Sequence, residues 1–342
     1  MVRRARYGIT ATFALAGALS AVWTVRVPAL ADKLHLDPGQ LGITVLAWGL
    51  GALVVMPLVG LAPTYAWLLV AAGVFGVAFA ALDIAMNAQA SAVEQAYGRP
   101  LMSGMHAGWS VGAVAGGLLG AATAYAGWSF TRAVVVFAVA GVPVALALTP
   151  TYLVDRVAPG TAGRAAIGRL PRSVYLLGAI AFAAFMIEGS VADWSSLYLR
   201  DTLGATEGLA ALGYPLFEAT MIVGRLAGDR VRVALSDRRL LVVAGIAVSA
   251  VSVLVVAASR PPAALVGFCL VGLAVCTVAP VALSLAGRAG PRAIARTTSL
   301  GYLGLLLGPT VIGLLAGVSS LRVGLGVSVV LGLALAGAAK AL

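Results

Sequence analysis

The chain is dominated by eleven long apolar segments joined by short loops. A helix needs about 20 mostly apolar residues to cross a bilayer, and each segment meets that requirement. Only 10% of the 342 residues are charged and 61% are apolar, so there is too little polar surface to cover a water-exposed core. We therefore predict an all-α polytopic membrane protein whose spans are 7–30, 41–60, 65–90, 101–125, 130–149, 174–198, 209–227, 240–258, 263–286, 298–317 and 323–342.

The positive charge of the chain is spread over its loops. The 23 Lys and Arg residues outnumber the 12 Asp and Glu residues, but they form no basic module with interleaved aromatic residues, so we expect no nucleic-acid partner. The loops at 150–173, 228–239 and 287–297 hold more Lys and Arg than the loops between them. Because positive residues favour the cytoplasmic side, these three loops are predicted to be cytoplasmic. Eleven spans would then place the arginine-rich N-terminus outside, and one additional span would return it inside.

Two registers of internal repetition also indicate a missing span. Trp23 and Trp194 are related by an offset of 171 residues, whereas Gly108 and Gly304 are related by an offset of 196. The difference of 25 residues corresponds to one helix with its loop, absent from the first half within 60–76. We therefore predict a twelve-helix plan that has lost its third helix.

This plan divides the chain into three parts. The first is an incomplete N-terminal bundle with five spans at 1–149, and the second is a cytoplasmic linker at 150–173. The third is a six-helix bundle at 174–342.

Two related halves, a polar central loop and positive cytoplasmic loops resemble the major facilitator superfamily. The stretch 224–230 is similar to the superfamily's cytoplasmic loop signature, and its matching residues are Gly224, Gly228, Asp229 and Arg230. More specifically, the chain resembles a bacterial inner-membrane branch related to fucose permeases. The stretches that carry this resemblance are 83–90, 98–100, 106–110 and 188–194.

The resemblance implies a multi-pass protein of the bacterial plasma (inner) membrane that moves a small polar solute by alternating access. It also implies that the 224–230 loop helps to latch the cytoplasmic side. We therefore expect a secondary active transporter, with protons as the expected coupling ion. The alternative is a non-transporting membrane protein, namely a sensor, an assembly partner or a degenerate paralogue, because the third helix is missing.

Two acidic residues stand near the middle of predicted spans. Glu188 and Glu218 are far from either end of their segments, and ionisable groups at membrane depth are costly enough to be functional candidates. Desolvation favours the neutral form of a carboxyl group, which suits it to take up and release a proton. We rank Glu188 first for proton coupling. The alternative for both residues is a structural acid that bonds to a neighbouring helix.

A second polar group is predicted nearer the cytoplasmic side. Asp83, Asn87, Ser91 and Glu94 are separated by four, four and three residues, which places them on one face of a helix. Such a face abuts an aqueous cavity or another polar helix rather than lipid. We take Asp83 as the second candidate for proton coupling and Asn87 as a candidate for the substrate cavity.

The following span repeats this spacing with His106, Trp109 and Ser110. His106 can carry a proton near neutral pH and joins Glu188, Asp83 and Glu218 as a coupling candidate. Trp109 and Ser110 are candidates for the substrate cavity. A hydrogen-bond network that only locks the two helices together remains an open alternative.

An outer gate is predicted at corresponding positions of the two halves. Trp23 and Arg26 stand near the outer end of the first span, and Asp193 and Trp194 stand near the outer end of the sixth. An Arg26–Asp193 pair would be desolvated when the outside closes. The alternative is that each charge and its tryptophan anchor at the membrane interface.

Other classes of function lack support in the sequence. There is no Gly-Lys-Ser/Thr nucleotide loop, no metal-ligand spacing and no nucleophilic triad, so we expect neither an ATP-driven pump nor an enzyme. We expect no cofactor and no metal. The predicted partners are a small solute, protons and the lipid bilayer, and the predicted state is a monomer.

The topology can be tested with reporter fusions. Fusions at Gly163, Ser236 and Gly290 should all report a cytoplasmic location, because each lies in a loop rich in positive residues. A matched fusion at Arg260, in an intervening loop, should report the outside. An external signal at Gly163 would contradict the predicted topology.

Overall fold

Regular structure is helical throughout the part of the chain that the structure describes. The computed structural model describes residues 2–34, 61–153, 170–210 and 212–342, and these ranges contain no strand. Their helices are α1 (Val2–Leu34), α2 (Tyr65–Tyr97), α3 (Met102–Tyr125), α4 (Phe130–Leu148), α5 (Arg172–Leu197), α6 (Glu207–Ala210), α7 (Gly213–Ala234), α8 (Asp237–Ala257), α9 (Pro261–Val275), α10 (Val278–Arg288), α11 (Pro291–Val318) and α12 (Leu321–Lys340). The predicted all-α class is confirmed, while the predicted span at 41–60 lies outside the described residues.

Several of these helices are long and apolar enough to cross a membrane. In the described ranges they are Phe130–Thr151, Arg172–Thr202, Asp237–Ala257, Pro261–Arg288, Pro291–Val318 and Leu321–Lys340. Each coincides with a predicted span. Three further helices at predicted spans, α2, α3 and α7, carry the buried ionisable residues Asp83, His106 and Glu218.

The predicted span 263–286 is interrupted rather than continuous. Helix α9 ends at Val275 and α10 begins at Val278. Proline has no backbone N–H, and its ring clashes with the carbonyl four residues earlier. Pro280 therefore prevents the normal helical hydrogen bond to Cys276, and the helix is broken around that residue.

The described helices form two groups that follow the two halves of the sequence. In the first half α1 packs along α3 and α4, and in the second half α5 packs along α11 and α12. The halves meet where α3 packs against α7 and where α2 packs against α10 and α11. Residues 154–169 of the predicted linker lie outside the described residues, so the domain boundaries stay a prediction.

Glycine contacts reveal the same packing in both halves. A Cβ atom at Gly108 of α3 would lie 2.5 Å from the carbonyl oxygen of Thr10 in α1. A Cβ atom at Gly304 of α11 would lie 2.1 Å from the carbonyl oxygen of Phe182 in α5. These glycines are 196 residues apart and their partners are 172 apart. The offset of 196 is the one found in the sequence, and the offset of 172 differs by one residue from the 171 that relates Trp23 to Trp194. The same helix pair is thus repeated in both halves, with small residues that let the backbones approach closely.

This close packing makes a direct prediction for Gly112. A Cβ atom there would lie 1.8 Å from the Ala14 carbonyl oxygen, so Gly112→Ala should force α1 and α3 apart and lower stability by about 1–3 kcal/mol. Gly337→Ala is the control, because its Cβ would meet nothing within 4 Å and alanine favours a helix. Thermal unfolding of the purified protein in detergent measures both variants, and an unchanged midpoint for Gly112→Ala would contradict the contact.

Candidate functional site

A cavity of about 120 Å³ lies between the two halves. Its walls come from α1, α2 and α3 on one side and from α5, α7 and α11 on the other. The ionisable residues that line it are Asp83, His106, Glu188, Asp193, Glu218 and Arg225. The aromatic residues that line it are Phe13, Trp109, Phe185, Tyr214 and Tyr302.

The guanidinium of Arg225 is the most buried charge of this cavity, with 2% of its side chain exposed. Its Nη2 donates to Glu188 Oε2 over 3.1 Å and forms an ion pair with it. Its Nη1 donates to Ser110 Oγ over 2.8 Å and reaches the His106 carbonyl oxygen at 3.5 Å. Its Nε donates to the Cys276 carbonyl oxygen over 3.2 Å. Arg225 thereby connects both halves of the molecule.

The Cys276 carbonyl is available to Arg225 because of Pro280. In an uninterrupted helix this carbonyl would accept the N–H of residue 280, which proline lacks. A buried carbonyl without a partner costs free energy, and the guanidinium supplies the missing donor. The break between α9 and α10 thus helps to position the cavity's arginine.

Asp83 and His106 occupy the first-half wall. The Asp83 carboxyl accepts a hydrogen bond from Asn87 Nδ2 over 2.8 Å, and Tyr302 of the other half lies beside it. His106 Nδ1 lies 3.0 Å from the Met102 carbonyl oxygen. Because a carbonyl oxygen only accepts, Nδ1 carries the proton in this contact.

Glu218 lies deep in the second-half wall, with 4% of the residue exposed. Tyr214, one turn earlier on α7, lies beside it. Among the described residues, its Oε2 atom has no hydrogen-bond partner, and neither has Oε1 of Glu188. Two carboxyl oxygens of the cavity are therefore buried and unpaired, which marks them as places where a proton or a ligand group would be stabilised.

A second polar cluster lies at the end of the bundle where α2 joins α3 and α7 joins α8. Glu94 Oε2 accepts the backbone N–H groups of Leu101 and Met102, each over 2.7 Å, and so caps α3. Its other oxygen accepts a hydrogen bond from Ser284 of α10. Arg232 lies 3.7 Å from Glu94, so one carboxylate connects the two halves at this end.

Arg232 is the cation at the centre of this cluster. It pairs with Asp237 at 2.5 Å, and its Nη1 donates to Ser284 Oγ over 2.7 Å. Only 3% of its side chain is exposed. The cluster is thus a buried cross-link between α2, α7, α8 and α10.

The stretch Gly224–Arg230 forms part of helix α7 and not the predicted loop. The apolar part of this span ends near residue 227, but the stretch 224–230 contains no proline that would break the helix. The helix therefore continues beyond the apolar part of the span, to Ala234. Asp229 accepts the backbone N–H groups of Ser103 and Gly104 over 3.1 and 2.9 Å. It therefore caps the N-terminus of α3 from the opposite half, where a negative charge is favoured.

Gly228 makes this approach possible. A Cβ atom there would lie 2.4 Å from Ser103 Oγ and 2.6 Å from Thr277 Cγ2. Gly224 is packed in a similar way, with 2.4 Å to Cys276 Sγ. Arg230 is exposed. The glycines of the signature let α7 lie close to α3 and α9, and Asp229 then reaches its helix end.

The cavity brings together residues that the sequence places in separate groups. Asp83 and His106 are predicted nearer the cytoplasm than Glu188 and Glu218, and all four line one cavity. Their depth in the membrane stays a prediction. Asn87, one helical turn after Asp83, hydrogen-bonds to the Asp83 carboxyl and does not itself line the cavity. Which side chains of a helix reach the cavity depends on the rotation of the helix about its axis, and residue spacing alone does not determine this rotation.

Ser110 also has a supporting position, since it binds Arg225. Trp109 and Asp193 do line the cavity, and Trp194 lies beside Gly313 of its own half. The side chains of Trp23 and Arg26 lie outside the described residues, so the outer gate stays a prediction.

Arg225 is the functional residue that sequence reasoning missed. It lies within the predicted span 209–227, and an arginine inside an apolar span is a functional candidate by default. Arg225 also lies within the stretch 224–230, and assigning that stretch to the loop signature concealed the unusual position of this arginine. Arg232 gave no comparable signal, because it follows the span.

Comparison with known sequences assigns the chain to a family. The sequence model of the Major Facilitator Superfamily matches residues 5–286. The uncharacterized transporter y4wD of Sinorhizobium fredii is 35% identical, and the match covers 92% of this chain and 92% of that protein. An uncharacterized MFS-type transporter of Yersinia pestis is 32% identical, with 96% and 93% covered. The chain belongs to the Major Facilitator Superfamily.

The family makes the chain a multi-pass membrane protein, of the inner membrane in bacteria, and the names of its relatives support a secondary transporter. Solved structures agree on the fold. The transporter FucP in its outward conformation gives a TM-score of 0.68 at 13% identity, covering 98% of this chain and 97% of FucP. A bacterial homolog of the human lysosomal transporter Spinster, inward-facing, gives 0.68 at 15% identity, covering 99% and 96%. Because the outward and inward-facing structures give the same TM-score, the similarity shows the fold and does not indicate the conformation of this chain.

The central ion pair can be tested by a double-mutant cycle. Glu188→Gln and Arg225→Met should each lower the free energy of unfolding by about 3–5 kcal/mol, because each leaves a buried partner uncompensated. The double variant should lose clearly less than the sum. Thermal or denaturant unfolding in detergent provides the measurement.

The control is the exposed pair Arg200–Asp201, whose atoms approach to 2.6 Å with about half of each side chain exposed. Its cycle should give about 0–1 kcal/mol. Additive losses at Glu188 and Arg225 would show that the pair does not stabilise the fold.

Proposed function

We propose that the protein moves a small polar solute across the membrane by alternating access and that protons drive this movement. The observation that carries the proposal is the ion pair between Glu188 and Arg225 in the cavity between the halves. Arg225 also bonds to Ser110 of the opposite half. The charge state of Glu188 therefore acts on a residue that connects the two halves.

Protonation of Glu188 would remove the negative charge that compensates Arg225. The guanidinium would then lose its strongest partner, and its remaining neutral bonds would not balance a buried charge. Opening of the cavity to water is the simplest way to solvate it. Proton uptake and opening would thus favour each other, which is the reciprocity that coupled transport requires.

Asp83 is the second acid in this scheme. It lies beside Tyr302 of the other half in the cavity wall, so its protonation state also affects an inter-half contact. His106 has a different role in the proposal. It lies beside Arg225, whose permanent charge opposes an imidazolium, and its Nδ1 proton is held by Met102. We assign it to the cavity wall rather than to proton transfer.

The polar cluster around Glu94, Asp229 and Arg232 is proposed to keep the cytoplasmic end closed. Its contacts join α3 and α2 of the first half to α7 and α10 of the second. Alternating access requires such contacts to break when the cavity opens on this side. The topology predicted from loop charge supports the assignment of this end to the cytoplasm.

A second candidate function, a non-transporting membrane protein, has its own support. The alignment with the Sinorhizobium fredii relative runs over 351 residues yet covers only 92% of this chain, so the relative contains residues without a counterpart here. Helix α11, the counterpart of α3, has Gly290 as its N-cap residue and no side-chain cap hydrogen bond among the described residues. Helix α3, in contrast, is capped by Asp229 from the other half.

Transport in proteoliposomes distinguishes the two candidates and tests Glu188. Uphill solute accumulation driven by a pH gradient should be lost in Glu188→Gln, while exchange of labelled for unlabelled solute should persist, because exchange needs no change of protonation. Asp201→Asn removes an exposed acid and should leave both activities unchanged.

Normal uphill accumulation in Glu188→Gln would show that this acid is only structural. Absence of saturable counterflow for every sugar, amino acid and drug of a broad panel would favour the non-transporting candidate. Both of these results can be interpreted without knowing whether the protein is a monomer, which stays a prediction.

A further inference from the structure

The cavity is richer in acids than the chain's composition explains. The chain has 12 Asp and Glu and 23 Lys and Arg residues. Among the described residues, four of the acids line the cavity, namely Asp83, Glu188, Asp193 and Glu218, whereas Arg225 and His106 are the basic residues that line it. A strongly basic protein thus has an acidic centre.

Arg225 is engaged by the protein at each of its three nitrogen atoms. They donate to Glu188, Ser110, His106 and Cys276, which uses four of the five N–H groups of a guanidinium. Its charge is balanced by that of Glu188. The cavity therefore has three carboxyl groups beyond the central pair.

Glu218 is the strongest of these three as a ligand group. The residue is 96% buried, since its exposed fraction is 4%, and it lines the cavity. Its Oε2 atom has no hydrogen-bond partner among the described residues. Asp193 is assigned to the predicted pair with Arg26. Among the described residues, neither Asp83 nor Glu218 has a cationic group within 4.0 Å.

Aromatic rings are the second feature of the walls. Phe, Trp and Tyr make up 7% of the chain, yet the cavity is lined by Phe13, Trp109, Phe185, Tyr214 and Tyr302. The face of an aromatic ring attracts a cation through its quadrupole, and ammonium ligands are recognised in this way. A desolvated carboxylate and aromatic faces are complementary to the same charge.

We propose that the cavity binds a small organic cation, a protonated amine or quaternary ammonium, with its charge at Glu218 and its apolar part against the aromatic wall. The transport of this cation rests on the proposed function, but its binding does not. An anionic solute would add to the excess of carboxyl groups, and a neutral one would leave Glu218 uncompensated. Protons alone would neutralise the same carboxyl groups, and that alternative is an outcome of the test.

The test measures equilibrium binding to the full-length protein in nanodiscs without any gradient. The probes are two sets of equal shape and different charge. One set is choline, 3,3-dimethylbutan-1-ol and 3,3-dimethylbutanoate, and the other is cyclohexylammonium, cyclohexanol and cyclohexanecarboxylate. At least one cation should bind about tenfold or more tightly than its neutral and anionic counterparts.

The contribution of Glu218 is tested by variants. Glu218→Gln should weaken binding of that cation about tenfold, while Glu218→Asp should retain most of it. Asp201→Asn is the matched control, because it removes an acid outside the cavity, and it should bind as the unmodified protein does. The unfolding midpoint of each variant shows whether a loss of binding reflects a loss of fold.

Three results would overturn the inference. They are equal or tighter binding of the neutral or anionic probes, no cation binding at millimolar concentration, or unchanged cation binding in folded Glu218→Gln. Proton-coupled transport of neutral solutes together with any of these results would leave the proposed function standing. Cation binding that depends on Glu218, without transport, would contradict only the proposed function.

Discussion

The buried guanidinium of Arg225 is the constraint around which the centre of this protein is organised. A charge with 2% exposure is tolerated only where an opposite charge and further hydrogen bonds replace water. Glu188 supplies the charge, Ser110 supplies a hydroxyl from the other half, and the Cys276 carbonyl supplies a third acceptor. Removal of any one of these partners would leave a cost that the apolar surroundings cannot meet.

The third acceptor shows how a single proline contributes to the site from a distance. Pro280 does not line the cavity, but it separates α9 from α10 and leaves the Cys276 carbonyl without its helical partner. The resulting acceptor holds Arg225 in place. The break between α9 and α10 thereby contributes to the stabilisation of the buried charge of Arg225.

The features that could be predicted from the sequence are those that depend only on the order of apolar and polar residues along the chain. Long apolar runs fix where helices lie, and the depth of Glu188 within its run predicted a place in the middle of the bundle. Rotation about a helix axis depends on the packing of neighbours, so Asp83 lines the cavity while Asn87, on the same predicted face, only supports it. Arg225 is not recognisable from the sequence for a related reason. Its partners come from α3, from α5 and from the break between α9 and α10, and no local pattern brings these together.

Helix α7 connects the cavity to the polar cluster around Arg232. Glu218, Arg225, Asp229 and Arg232 follow one another at spacings of seven, four and three residues, which places them along one face of the helix. At 1.5 Å per residue this face extends over about 21 Å. It carries, in order, the unpaired carboxyl oxygen, the central ion pair, the cap of α3 and the buried cross-link to Glu94.

Helix shifts of about 1–2 Å are typical of conformational switching. Such a shift is enough to take the hydrogen bonds at Asp229, now about 3 Å long, beyond bonding distance. The ion pair of the cavity and the cap of α3 are therefore carried by one helix. Under the proposed mechanism, a change at either contact would alter the free energy of the other, which is the physical requirement for coupling them.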